Sequence, residues 1–278
     1  MRFVVSLLGG VILIGASATL PAVAADEESV CAFCHEDVVA DFQRTGHAIA
    51  PGWDPETGCQ SCHGPADAHM EEGDAEAIIR PQLLPKREAS DGCLSCHRRL
   101  ERHFGASQSI HRLNEVGCLD CHNPHRAVEH LLVADPLDLC SSCHSAVAAQ
   151  FDRPRSHPLE TTGAACATCH APHGTRTPRS AGPAAVQTCE TCHFEKAGPF
   201  VYDHGTMLVD GCASCHEVHA STNRHLLRHD SQANLCYECH NANVTPGWHS
   251  ARRFVSQKCS ACHSAIHGSN TSQFYLED

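Results

Sequence analysis

The chain has 278 residues, a formal net charge of −12, 19% charged side chains and only 14 Phe, Trp and Tyr residues. An acidic balance of that size disfavours nucleic acid and anionic lipid surfaces as partners. Twenty cysteines make cysteine chemistry the first question.

Residues 1–24 read as a secretory signal peptide. Arg2 is a short basic start, Phe3 to Ile14 is mostly apolar, and Ala22-Val23-Ala24 is a small-x-small cleavage site. The apolar stretch is too short and too interrupted by glycine to span a bilayer, and no later stretch is apolar enough. An exported chain with no membrane span of its own is expected. Cleavage after Ala24 leaves Ala25 rather than Cys at the new terminus, which gives no sign of a lipid anchor, and loss of Arg2 brings the charge to about −13.

Soon after the leader comes CAFCH, with Cys31, Cys34 and His35. A Cys-x-x-Cys pair can be a zinc knuckle, a redox dithiol or, with His directly after the second Cys, a c-type haem attachment site. Repetition decides between them. CQSCH follows (Cys59, Cys62, His63), then CLSCH (Cys93, Cys96, His97), CLDCH (Cys118, Cys121, His122), CSSCH (Cys140, Cys143, His144) and CATCH (Cys166, Cys169, His170). The last four are CETCH (Cys189, Cys192, His193), CASCH (Cys212, Cys215, His216), CYECH (Cys236, Cys239, His240) and CSACH (Cys259, Cys262, His263).

These ten motifs absorb all 20 cysteines. A disulfide scaffold, the ordinary expectation for so many exported cysteines, does not require His after every second Cys. Zinc ligand sets do not repeat as Cys-Cys-His alone. The reading is ten covalently attached haem c groups, two thioethers each, with the motif His as one axial iron ligand. Roughly 25 residues per haem cannot build an ordinary hydrophobic core. The porphyrin faces must supply much of the buried apolar surface, and the chain is expected not to fold without them.

Each iron needs a sixth ligand or becomes a place where substrate binds. Of 24 histidines, 14 lie outside the motifs. One candidate follows each motif: His47, His69, His111, His125, His157, His173, His204, His219, His249 and His267. The gaps alternate, long after odd-numbered motifs and short after even-numbered ones, as in CLDCHNPH and CATCHAPH, so the repeating unit is a pair of haems. Odd-numbered motifs begin at residues 31, 93, 140, 189 and 236, a period that marks a stack of neighbouring units.

The long gaps, as in CHEDVVADFQRTGH and CHSAVAAQFDRPRSH, have room for a short helix that delivers its His. The short gaps with Pro124 or Pro172 leave only a turn. No alternating apolar run predicts a sheet. The expected fold class is therefore a multihaem cytochrome c, mostly coil with short α-helices and little or no β, elongated by its dihaem repeats. The acidic run Asp67–Glu76 reads as a solvated loop.

Four histidines fall outside the rhythm. His111 is preferred to His103, which lies too far ahead of Cys118 for the spacing of the other long-gap ligands. His130 and His225 occupy matching places in the repeated stretches EHLLVADPLDLCSSCH and RHLLRHDSQANLCYECH, and two readings stand: they line haem edges or propionates, or they are exposed spares. His229 carries no signal. A distal His need not serve the haem of its own motif, because multihaem chains cross over.

Two imidazoles on iron give a closed, low-spin centre that changes little on electron transfer, whereas Met ligation raises the potential. The mature chain has only Met70 and Met207, for which a core role suffices. Closely spaced bis-His centres imply conduction by hopping, with no catalytic residue. The rival from another class is a reductase with one open haem, but all ten motifs keep His and each has a distal candidate.

The chain resembles the MtrA/DmsE-type periplasmic decahaem cytochromes, a family that takes in the iron-oxidation relatives MtoA and PioA. The resemblance is carried by CHEDVVADFQRTGH, GCQSCHGPADAH, CHAPHG, EKAGPFVYDHG and the closing CHSAIHGSN. It implies two pentahaem modules, residues 25–150 and 151–278, forming one staggered line of haems. It further implies a periplasmic protein associated with the outer membrane through a β-barrel porin. Electrons would pass between a periplasmic or inner-membrane quinol-linked cytochrome and an outer-surface multihaem cytochrome, in metal or dimethyl sulfoxide respiration or in iron oxidation. A soluble shuttle to a periplasmic reductase is the alternative within the same class.

Overall fold

The computed structural model describes residues 29–54, 57–100, 103, 105–158, 166–174, 183–240 and 258–276. The leader and His249 lie outside the described residues.

Each Cys-x-x-Cys-His is one helical turn. The amide of the motif His donates to the carbonyl of its first Cys, at 2.9 Å in His35→Cys31, His122→Cys118, His144→Cys140 and His240→Cys236. That i→i−4 bond puts positions i, i+3 and i+4 on one face of the turn, so both sulfurs and the imidazole address the same space. Odd-numbered motifs sit in or against longer helices: Ala32–Phe42, Lys86–His97, Pro136–Ser141, Pro183–Ala197 and Gln232–Tyr237. The backbone breaks at His35 (φ −120°, ψ 40°) and His193 (φ −111°, ψ 40°), which lets a second short helical arm leave the motif in a new direction.

Motifs 4, 8 and 10 are instead 3-10 turns, Cys118–Asp120, Cys212–Ser214 and Cys259–Ala261. Their second cysteines share one conformation: φ is −115°, −114° and −112°. Motifs 2 and 6 are single α-helical turns, Gln60–His63 and Cys166–Cys169, so the even-numbered motifs are all short but only three of them are 3-10.

The β-structure of the described residues is two two-residue antiparallel sheets, Arg155–Ser156 with Ala220–Ser221 and Tyr202–Asp203 with Gly268–Ser269, and two single antiparallel bridges, His122 with Leu132 and His216 with Leu227. Both sheets sit beside candidate ligands. Ser156 and Asp203 directly precede His157 and His204, while Ala220 and Gly268 directly follow His219 and His267. Each sheet therefore clamps a long-gap ligand to a short-gap ligand from three motifs further on. The fit is close: a Cβ on Gly268 would lie 2.2 Å from Cδ2 of Phe200, and one on Gly174, after His173, would lie 2.9 Å from the carbonyl oxygen of Gly105. Glycine also suits the positive φ at Gly174, +81°.

The protein core is almost absent. Among the described residues the buried apolar ones are Ala32, Ala66, Leu94, Ala220, Ala233 and Ala265, a single leucine among alanines. Large apolar side chains face outward beside the motifs and ligands instead: Phe33, inside CAFCH, is 90% exposed and Ile110, next to His111, is 73% exposed. No described helix is long and apolar enough to cross a membrane. The acidic run is solvated as expected but helical rather than a loop over Asp67–Glu72. Asp67 in the first turn complements the helix dipole, and Gly73 at φ 70° closes the C-terminus.

Candidate functional site: paired imidazoles along the motif line

Nine of the ten motif histidines face the ring of one expected distal histidine, at centroid separations of 5.8–6.4 Å. The pairs of the first five motifs are His35 with His69, His63 with His125, His97 with His47, His122 with His173 and His144 with His111. Those of the next four are His170 with His219, His193 with His157, His216 with His267 and His240 with His204. None joins a motif to the candidate that follows it directly in the sequence.

An iron fits these gaps. A metal–nitrogen bond of about 2 Å on each side, plus the distance of roughly 1 Å from nitrogen to ring centre, leaves centroids about 6 Å apart. Ring planes range from 6° apart in His204–His240 to 84° in His47–His97, as free rotation about a ligand axis allows. Ordinary aromatic pairs can show similar distances, so the second nitrogen carries the distinction. Nδ1–H of His63 donates to the Ile79 carbonyl at 2.9 Å, that of His122 to His130 at 2.9 Å, His216 to His225 at 2.8 Å and His263 to Phe274 at 2.6 Å. On the distal side, His69 donates to Asp74 at 2.8 Å, His111 to Pro172 at 3.0 Å and His157 to Val218 at 2.6 Å. An Nδ1–H tied to a carbonyl leaves Nε2 as a lone-pair donor and fixes the ring plane, the usual support of a metal-bound imidazole.

Ligation also needs neutral imidazole. Burial, then the facing motif histidine, holds His47 and His204 below the ordinary histidine value, beside His97 and His240 respectively. Burial and then the motif histidines His63, His170 and His216 do the same for His125, His219 and His267. His173 is pushed down to about 4 by burial, then by His103 and His122.

The cysteines confirm the two-haem unit. The first cysteines of consecutive motifs meet through sulfur in five pairs: Cys31–Cys59, Cys93–Cys118, Cys140–Cys166, Cys189–Cys212 and Cys236–Cys259. Burial, then the facing thiol, pushes Cys140 and Cys189 up to about 11 and Cys236 up to about 12, whereas the hydrogen bond from Cys93 brings Cys118 down to about 6. Among the described residues no cluster of three or more His, Cys, Asp or Glu side chains forms that could hold a metal ion.

The histidines outside the rhythm resolve differently. His103 packs between the ring of His97 at 5.3 Å and that of His173 at 4.5 Å. His130 and His225 act through backbone: each sits at positive φ, 54° and 57°, and turns its carbonyl onto the motif histidine. The following Leu131 and Leu226 also have positive φ, so this turn was not legible in residue types that avoid it. Substituting His130→Gly is expected to keep every haem low-spin and to leave stability equal or higher by about 1 kcal/mol. His130→Pro, which locks φ near −65°, is expected to disturb the fourth haem; spectra and melting curves of the two variants check this. His229 donates through Nε2 to Glu238 at 2.7 Å, holding that carboxyl below its usual value. Met70 is 51% exposed, not a core residue as expected, because the chain around it has no core to enter.

Repeated Cys-x-x-Cys-His turns facing paired imidazoles define the class, a multihaem c-type cytochrome, an electron-transfer protein with covalently bound haem c. The doubled CXXCH motif family model matches residues 111–149, 157–198 and 204–245. The chain is also similar to the multiheme cytochrome MtrA of Shewanella baltica (strain OS185), 29% identical over 265 residues that cover 86% of this chain and 78% of that protein.

Proposed function

We propose that the chain is a periplasmic decahaem conductor. Its haems are held by the Cys and His of the ten motifs, and their sixth positions are closed by His47, His69, His111, His125, His157, His173, His204, His219, His249 and His267. The observation that carries this reading is the set of nine imidazole pairs, drawn wholly from those ligands and spaced for a metal between them. The bound haems supply one-electron chemistry. The chain's own residues fix their spacing, close their irons to substrate and orient seven of the imidazoles through a backbone carbonyl. Closed sites on both sides favour conduction over reduction of a substrate.

By its resemblance to MtrA-type cytochromes, the chain takes electrons between a quinol-linked cytochrome and a β-barrel porin that carries an outer-surface multihaem cytochrome. Residues 25–150 and 151–278 are its two pentahaem halves. Low-temperature EPR of the oxidised protein with a haem count is the test: ten haems per chain, all low-spin, are expected. A stoichiometric high-spin signal from the unmodified protein would instead make one iron a substrate site. In the native host the protein is expected to co-fractionate with the outer membrane and a barrel; recovery only in the periplasmic fraction would make it a shuttle.

A further inference from the structure

The nine pairs follow one rule. Every long-gap ligand after motifs 1, 3, 5 and 7 goes forward two motifs: His47 to His97, His111 to His144, His157 to His193 and His204 to His240. Every short-gap ligand after motifs 4, 6, 8 and 10 goes back two motifs: His125 to His63, His173 to His122, His219 to His170 and His267 to His216. The first unit breaks the rule where there is no earlier unit to serve, and His69 returns to His35 of the same unit.

Resting on the bis-His reading above, we infer that the ligands form a reciprocal chain of exchanges between dihaem units, in which His173 ties the two pentahaem halves together at the fourth haem. Reading the motifs from the other end maps eight of the nine observed pairs onto one another, with His69–His35 the exception. Each internal boundary between units is then crossed by two ligands, one in each direction, and among the described pairs only His69–His35 stays within its own unit.

The local structure supports this traffic. Three of the four forward-going ligands are clamped to one going the other way: His157 beside His219 and His204 beside His267 in the two small sheets, and His111 through its Nδ1–H to Pro172, next to His173. The pair His122–His173 crosses residues 150 and 151, so a division there separates a haem from its ligand.

The full chain tests this by counting open haems. His173→Ala is expected to give ten haems with one high-spin. In a Cys118→Ala/Cys121→Ala background, which lacks the fourth haem, the same substitution is expected to be silent: nine haems, all low-spin. A new high-spin haem in that background would place His173 on another iron and overturn the rule. If the anchor variants fail to fold, the structure of the loaded protein decides, with Nε2 of His122 and of His173 on one iron expected, and on different irons overturning the inference. High-spin haem in the unmodified protein would sink the bis-His reading instead, a result distinct from either.

Discussion

Expressed without haem attachment, the chain is expected to show no cooperative thermal transition, little helical circular dichroism and a radius of gyration of about 55 Å, the value for an unfolded chain of this length. The reason lies in what is buried. Five alanines and one leucine make up the apolar interior of the described residues, and the helices are mostly one to three turns, too short to stand alone in water. What packs well is backbone and small side chains, Ala220 and Ser269 at 0% exposure, around places where ligands are gripped. Exposed side chains such as Phe33 and Ile110 have no protein surface to cover them. A sharp, reversible melt of the haem-free chain, measured by scattering and circular dichroism together, would show that the polypeptide has a core of its own and that the haems are passengers.

The second large effect concerns conduction. His219→Met, in mid-chain opposite His170, is expected to raise the potential of one haem by on the order of 0.1 V, a fraction of the roughly 0.8 V that axial ligands control. For a one-electron step, 59 mV is a factor of ten, so 0.1 V makes that haem a trap from which electrons escape about 50 times more slowly. Potentiometric titration is expected to show one haem in ten displaced upward. Reoxidation of the reduced protein is expected to gain a slow phase of matching size. An unmoved titration would remove His219 from the ligand set. A moved titration with unchanged reoxidation would mean that electrons do not have to pass this haem.

Both effects have the same origin. With so little protein per haem, the proposed ligation rather than packing sets the spacing, a ligand carried over from the next unit holding two units at a defined distance. Carbonyls of Ile79, His130, His225 and Phe274 complete the grip on the even-numbered motif histidines 63, 122, 216 and 263, in each case after the chain has looped away and returned. The loops between differ in length and sequence, but the acceptor is a backbone oxygen that any residue can supply.

The sequence by itself determined the haem anchors, the two-haem rhythm, the scarcity of sheet and the set of candidate distal ligands. Those features rest on covalent attachment and on spacings within one or two turns, which residue types reveal directly. It also marked His130 and His225 as equivalent, though for their side chains rather than for their carbonyls. Only the tertiary structure decided which ligand faces which motif. The paired rings lie 33 to 62 residues apart, and any of the imidazoles is chemically fit for any of the irons. Choice among equal donors is made by where the chain returns, through the small sheets at Arg155–Ser156 and Tyr202–Asp203, the close approaches at Gly174 and Gly268, and the left-handed turns at His130 and His225. These are long-range backbone contacts, and local spacing carries no record of them.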